Sequence, residues 1–143
     1  MGESIKDPAG SFGSAALLGR GQAACDAALK DQVLKAHRLT TCKKIYDLLR
    51  SRDQVFKTPQ LFSDPAWDIL LDLYLNQALN KQVAKTNDVV GRSSAHAVAM
   101  RWLLVLKKEG LITWADDPVD GRRQLVTLTD EGMQKINDVL DRF

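Results

Sequence analysis

The stretch LKKEGLITWADDPVDGRRQLVTLTDEG, Leu106 to Gly132, leaves the backbone few arrangements. Gly110 stops a helical pattern, because glycine takes left-handed dihedrals without a steric penalty. Leu111-Ile112-Thr113-Trp114 reads as a strand, and Asp116 to Gly121 is turn chemistry built on Pro118 and Asp120-Gly121. Gln124 to Leu128 reads as the returning strand, with Val126 and Leu128 on one face. Thr129-Asp130-Glu131 then opens a last helix, Gly132 to about Arg142, on which Ile136, Val139 and Leu140 are apolar. A helix end, a hairpin and a helix start thus follow without interruption. Two adjacent arginines, Arg122 and Arg123, fall at the hairpin tip. A solubility patch needs no such geometry; a finger reaching for a phosphate or a groove does.

Upstream the pattern is helical. A short extended Gln82-Val83-Ala84 precedes a brief helix from Thr86 through Val90, ended by Gly91. Ser93 or Ser94 caps the next helix, about Ala95 to Glu109. Two helices joined by a short glycine-containing turn have helix-turn-helix spacing, a signal that many helical hairpins share. Before them, Ser63-Asp64-Pro65 supplies a cap and a first-turn proline. Trp67, Ile69, Leu70, Leu71, Leu73, Tyr74 and Leu75 then form an almost continuous apolar helix, which requires burial on several sides.

From about Cys25 to Phe56, Leu29, Val33, Ala36, Leu39, Cys42, Ile45, Tyr46, Leu49 and Phe56 recur at three- and four-residue spacing. Mixed charges on the other face read as solvated surface. The stripe is long for the chain left to cover it, so it folds back on the C-terminal part or buries itself against a second copy. The residues before it are rich in Gly, Ala and Ser without sustained periodicity. The organisation expected is a flexible leader over 1–24, a helical segment over 25–63 and a C-terminal domain over 64–143.

Composition narrows the function classes. At 143 residues and 45% hydrophobic the chain can bury one real core. No apolar run approaches the roughly 20 residues that cross a bilayer. Glu3 and Asp7 and the lack of an apolar h-region argue against a signal peptide, so a cytoplasmic protein is expected. Cys25 and Cys42 stand alone and read as reduced, partly buried thiols; no metal site and no cofactor are expected. His37 and His96 lack ligand-spaced partners, and Ser93-Ser94 reads as a cap, not a nucleophile. With no glycine-rich phosphate loop and no Cys-x-x-Cys, enzymatic activity is not expected. Trp67, Trp102 and Trp114 read as core or interface residues. The net charge of +2 argues for nothing by itself. Lys85, Arg92, Arg101, Lys107, Lys108, Arg122 and Arg123 set seven cations against five acids between 85 and 123, a modest electrostatic footprint.

With these motifs in place, residues 64–143 resemble the MarR-type winged helix-turn-helix transcription regulators. The likeness is most specific over Leu106–Gly132, where a helix closing in Leu-x-x-x-Gly-Leu is followed by Asp-Pro-x-Asp-Gly-Arg-Arg and Leu-Thr-x-x-Gly. It implies a fold that is mainly α with a small β-hairpin, a winged helix-turn-helix with N-terminal dimerisation helices. It implies a homodimer on double-stranded DNA, with the recognition helix in the major groove. Asp120 would orient Arg122, which would enter the minor groove. Lys85, Lys107, Lys108 and Arg123 would suit phosphates, with Thr86 and Ser94 at the helix starts nearby. Ala99, Trp102, Leu103 and Leu106 would face the core, leaving His96, Ala97, Met100 and Arg101 to the bases. The dimer would use Leu29, Val33, Leu39, Ile45, Tyr46, Leu49 and Val139. Members of the family often bind small aromatic effectors or sense oxidants. Here Cys25 and Cys42 are the sole thiols; neither has an evident charge partner to lower its pKa, and Lys43 beside Cys42 is the neighbouring cation in sequence. Ala95, Ala97 and Val98 depart from a base-reading pattern. They keep a second function open, a winged-helix protein-interaction module that has lost most DNA binding.

Overall fold

Helix caps and a hairpin divide the chain as the local signals require. In the computed structural model, which describes Gly2 and residues 12–57, 59–85 and 96–143, the elements run in this order. Helix α1 (Phe12–Phe56) and a 3-10 turn (Pro59–Phe62) are followed by α2 (Pro65–Ala78), β1 (Val83–Ala84) and α3 (His96–Lys108). A hairpin of β2 (Ile112–Asp116) and β3 (Gln124–Leu128) leads into α4 (Asp130–Leu140). The helix expected from Thr86 to Val90, its Gly91 stop and the Ser93 or Ser94 cap lie outside the described residues. The fold is mainly helical with one small antiparallel sheet of order β1-β3-β2, the architecture of a winged helix. Trp114 sits opposite Val126, and Val83 pairs with Val126 from the other side.

The caps are those the sequence predicts. Asp64 accepts from Trp67 N at 3.3 Å, Pro65 takes the first turn of α2, and Asp68 lies at the positive helix end. A cap of this kind contributes about 0.5–2 kcal/mol. Thr129 serves two elements at once. Its hydroxyl accepts from Gly132 N at 3.0 Å, capping α4, and donates to Gly110 O at 2.6 Å, satisfying a carbonyl just past α3. Gly110 has φ +75°, as the expected helix stop requires. Gly132 is fixed for another reason: a β-carbon there would collide with the Leu111 carbonyl.

Two expectations about the N-terminal segment change. Helix begins at Phe12, well inside the expected leader. Alanine-rich sequence favours helix by propensity even where no apolar period marks it. The chain also divides into two compact units, Met1–His37 and Arg38–Phe143, so the C-terminal unit starts well before residue 64. Packing explains this. Cys42 is fully buried, and its thiol lies 3.9 Å from Leu71 O. Ile45, Tyr46 and Leu49 are half-buried against a core that holds Leu71, Leu73, Leu103, Ile112, Val126 and Leu140. From Arg38 onward the chain therefore does cover much of its own stripe. Polar pairs anchor the same unit: Arg38 Nε and Nη2 fork onto Asp141 at 2.7 and 2.6 Å, Arg50 Nη2 meets Asp68 at 2.9 Å, and Tyr74 Oη donates to Asn137 Oδ1 at 3.0 Å. A bidentate pair that remains partly in water is worth about 1 kcal/mol or less. Trp67, Trp102 and Trp114 pack against the core as half-buried residues.

Candidate nucleic-acid interface

Burial sets the phase of α3. Ala99, Leu103 and Leu106 are buried and Trp102 is half-buried, the set that the spacing predicts. His96, Ala97 and Arg101 are consequently exposed. Met100 differs from expectation: it is half-buried and packs against the core. A long unbranched thioether fills the gap at the flank of the buried stripe. At 100° per residue, the face opposite the core carries Ala97, Arg101, Leu104 and Lys108, with Leu104 57% exposed. Leu104 and Val105 are exposed apolar positions that the sequence reading did not assign.

The wing is held by carboxylates acting on backbone. Beyond the last strand pair, Asp116 opposite Gln124, Asp117 N donates to Arg123 O at 2.9 Å and keeps the loop closed. Asp120 O accepts from Arg123 N at 2.9 Å, and Asp120 Oδ1 accepts from Arg122 N at 3.1 Å, an Asx-type turn. Asp117, missed from sequence, is 7% exposed and its Oδ1 accepts from Val119 N at 2.9 Å. The Asp-Pro-x-Asp spacing was its signal, since aspartate commonly bonds the amide two residues on. Both carboxylates thus shape the loop, and the side chains of Arg122 and Arg123 are exposed. Among the described residues neither guanidinium has an ion-pair partner. Asp120 reaches Arg122 through its amide, a contact different from the orienting ion pair that the resemblance implies.

Lys85 and Lys107 are less free than a surface lysine. Their ammonium groups lie 4.0 and 3.9 Å from the centroid of the Trp114 ring. Lys85 Nζ also donates to Gln124 Oε1 at 3.1 Å. Thr86 and Ser94, named with these residues from sequence, lie outside the described residues.

Of the positions expected at a dimer interface, Leu29 and Val33 are 54% and 69% exposed and Val139 is exposed on α4. Leu39 is half-buried, like Ile45, Tyr46 and Leu49. The thiols differ from the expected pair of partly buried groups: Cys25 is exposed and Cys42 is fully buried. Burial pushes the Cys42 thiol up to about 12, which overrides any effect of neighbouring Lys43 and makes this sulfur a poor nucleophile. Among the described residues no helix is long and apolar enough to cross a membrane.

No protein-family model and no curated protein matches the chain. A solved structure from Bordetella bronchiseptica, concerned with the regulation of DNA binding of BpsR by 6-hydroxynicotinic acid, is similar over 96% of this chain and 77% of that one. The identity is 19% and the TM-score 0.46. A likeness of that size assigns the chain neither a family nor a function.

Proposed function

We propose that the chain is a sequence-specific transcription regulator that binds double-stranded DNA as a homodimer, with α3 in the major groove and Arg122 in the minor groove. The observation that carries this reading is the wing: two exposed arginines, without an ion-pair partner among the described residues, on a loop whose backbone two aspartates hold in place. A narrow minor groove concentrates negative potential, so an inserted arginine gains there without reading a base edge. Arg101 on the exposed face of α3 supplies a group able to pair with guanine, and His96 and Ala97 flank it. Between 82 and 143 cations and acids balance, so one copy offers few phosphate contacts and useful affinity needs two. The exposed Leu29 and Val33 suit an interface between copies. Half-sites should then lie about 10 base pairs apart, centre to centre. Such a role places the protein with the DNA in the cytoplasm.

The exposed apolar side chains of α3, Leu104 and Val105, favour a second reading, a winged-helix module that docks a protein. A salt titration on random duplex DNA separates the two. The regulator should show log affinity falling steeply with log salt, whereas a protein-docking module should bind duplex weakly and with little slope. Sedimentation of the full chain should give a dimer at micromolar concentration. Tight DNA binding by a well-behaved monomer would remove the dimeric architecture.

A further inference from the structure

Three elements converge on one indole ring. Trp114 is on β2, Lys107 comes from the last turn of α3, and Lys85 follows β1. Both ammonium groups lie within 4.0 Å of the ring centroid, which confines them to within about 8 Å of each other. Like charges so close repel, and no carboxylate among the described residues is paired with either of them. The attraction comes from the negative face of the ring. A neutral amide fixes the Lys85 end: Gln124 Oε1 accepts from Lys85 Nζ at 3.1 Å, while Gln124 Nε2 donates to Asp116 Oδ1 at 3.4 Å. That pairing orients the amide with its oxygen toward the lysine. Each ammonium carries three donors, and the Gln124 bond uses one of those on Lys85. The remaining donors and two ammonium groups that form no ion pair among the described residues suit an anion.

We propose that Trp114 is a positioning residue that presents Lys85 and Lys107 as a pair to the phosphates of one DNA strand. The inference rests on the DNA-binding reading and adds a second phosphate contact apart from the wing. A free lysine loses much rotamer freedom when it grips a phosphate. One already held over a ring has lost part of that freedom, so the same contact binds more tightly. The indole therefore raises affinity without touching DNA. Successive phosphates on a strand advance about 3.4 Å along the axis, so two neighbours are within reach of ammonium groups this close together.

The test is a double-mutant cycle read by salt titration on a random duplex, with the full-length chain. Lys85→Met with Lys107→Met should lower the salt slope by about two units. Trp114→Leu, which keeps an apolar side chain against the core, should weaken binding on the order of tenfold with the slope retained. Trp114→Phe should recover most of that loss. In the Lys85→Met, Lys107→Met background, Trp114→Leu should change nothing further. An equal loss in that background, or wild-type affinity for Trp114→Leu in a chain whose wing variants do weaken binding, overturns the pairing and leaves the DNA-binding reading intact. No duplex binding by the wild-type chain overturns both. Should Trp114→Leu fail to fold, the Trp114 indole N–H resonance decides: it should move on adding duplex to the wild type and stay still in the double lysine variant. Equal movement in both overturns the proposal.

Discussion

The hairpin tip and the outer face of α3 both meet solvent, but different forces put them there. At the tip, Asp117 and Asp120 accept from backbone amides two residues ahead and set the loop locally. Arg122 and Arg123 take no part in that bonding through their side chains. Along α3 the outer residues are what remains after Ala99, Leu103 and Leu106 turn inward. The outer face therefore depends on packing from α2, the sheet and α4, while the tip depends on its own few residues. A change at the tip can alter ligand contact without touching the core. A change one position along α3 can move a side chain from solvent into the interior.

The largest effect should appear where that contrast is sharpest, between adjacent residues of α3. Leu103 is fully buried and Leu104 largely exposed. Leu103→Ala should destabilise the fold by about 2–5 kcal/mol, through lost burial and the cavity left behind. Leu104→Ala should stay within roughly 0.5 kcal/mol of wild type. Denaturant unfolding measures both. Equal costs would mean that the two faces are not distinct, and the assignment of Arg101 to the DNA side would go with them.

At the tip the expected effect is on binding alone. Arg122→Ala combined with Arg123→Ala should weaken binding to every duplex and lower the salt slope by about two units, with the unfolding midpoint unchanged. A variant with unaltered affinity and slope would leave the wing without a role. Arg101→Ala should act more narrowly, changing preference at one base pair by about 1–3 kcal/mol if the guanidinium grips guanine. Uniform weakening across sequences would assign Arg101 to phosphate instead, and direct readout by α3 would be left largely without a carrier.

The two regions also differ in how far the sequence disclosed them. The hairpin was legible because glycine, proline and aspartate signals act over a few residues, and strand register follows once the turn is placed. The inward face of α3 was legible from three- and four-residue spacing, whereas Met100 was not, because a flank position is decided by the shape of the neighbouring core. The same limit applies to α1. Its stripe from Leu29 to Leu49 is one pattern in sequence, yet Cys42 is buried and Val33 exposed. Periodicity shows which residues want cover, not what covers them. Nor does any local signal bring Lys85, Lys107 and Trp114 together, since three elements separated in sequence must first pack.

The smallest effect expected concerns how Asp120 serves Arg122. Its carboxylate accepts from the Arg122 amide at 3.1 Å, on a loop open to water. Asp120→Ala removes that acceptor, but the amide can turn to solvent, so stability should fall by under about 1 kcal/mol and helical circular dichroism should not change. Binding should weaken several-fold, because the loop that presents the guanidinium is no longer held and must be ordered on contact. Asp120→Asn then separates hydrogen bond from charge. The amide oxygen of asparagine can accept from the same N–H, and loss of a negative charge near DNA favours association. The asparagine variant should therefore bind at least as well as wild type. If it binds as poorly as the alanine variant, the carboxylate acts through its charge on the Arg122 guanidinium, as the resemblance to MarR-type regulators implies. The backbone bond at the tip would then be incidental to binding.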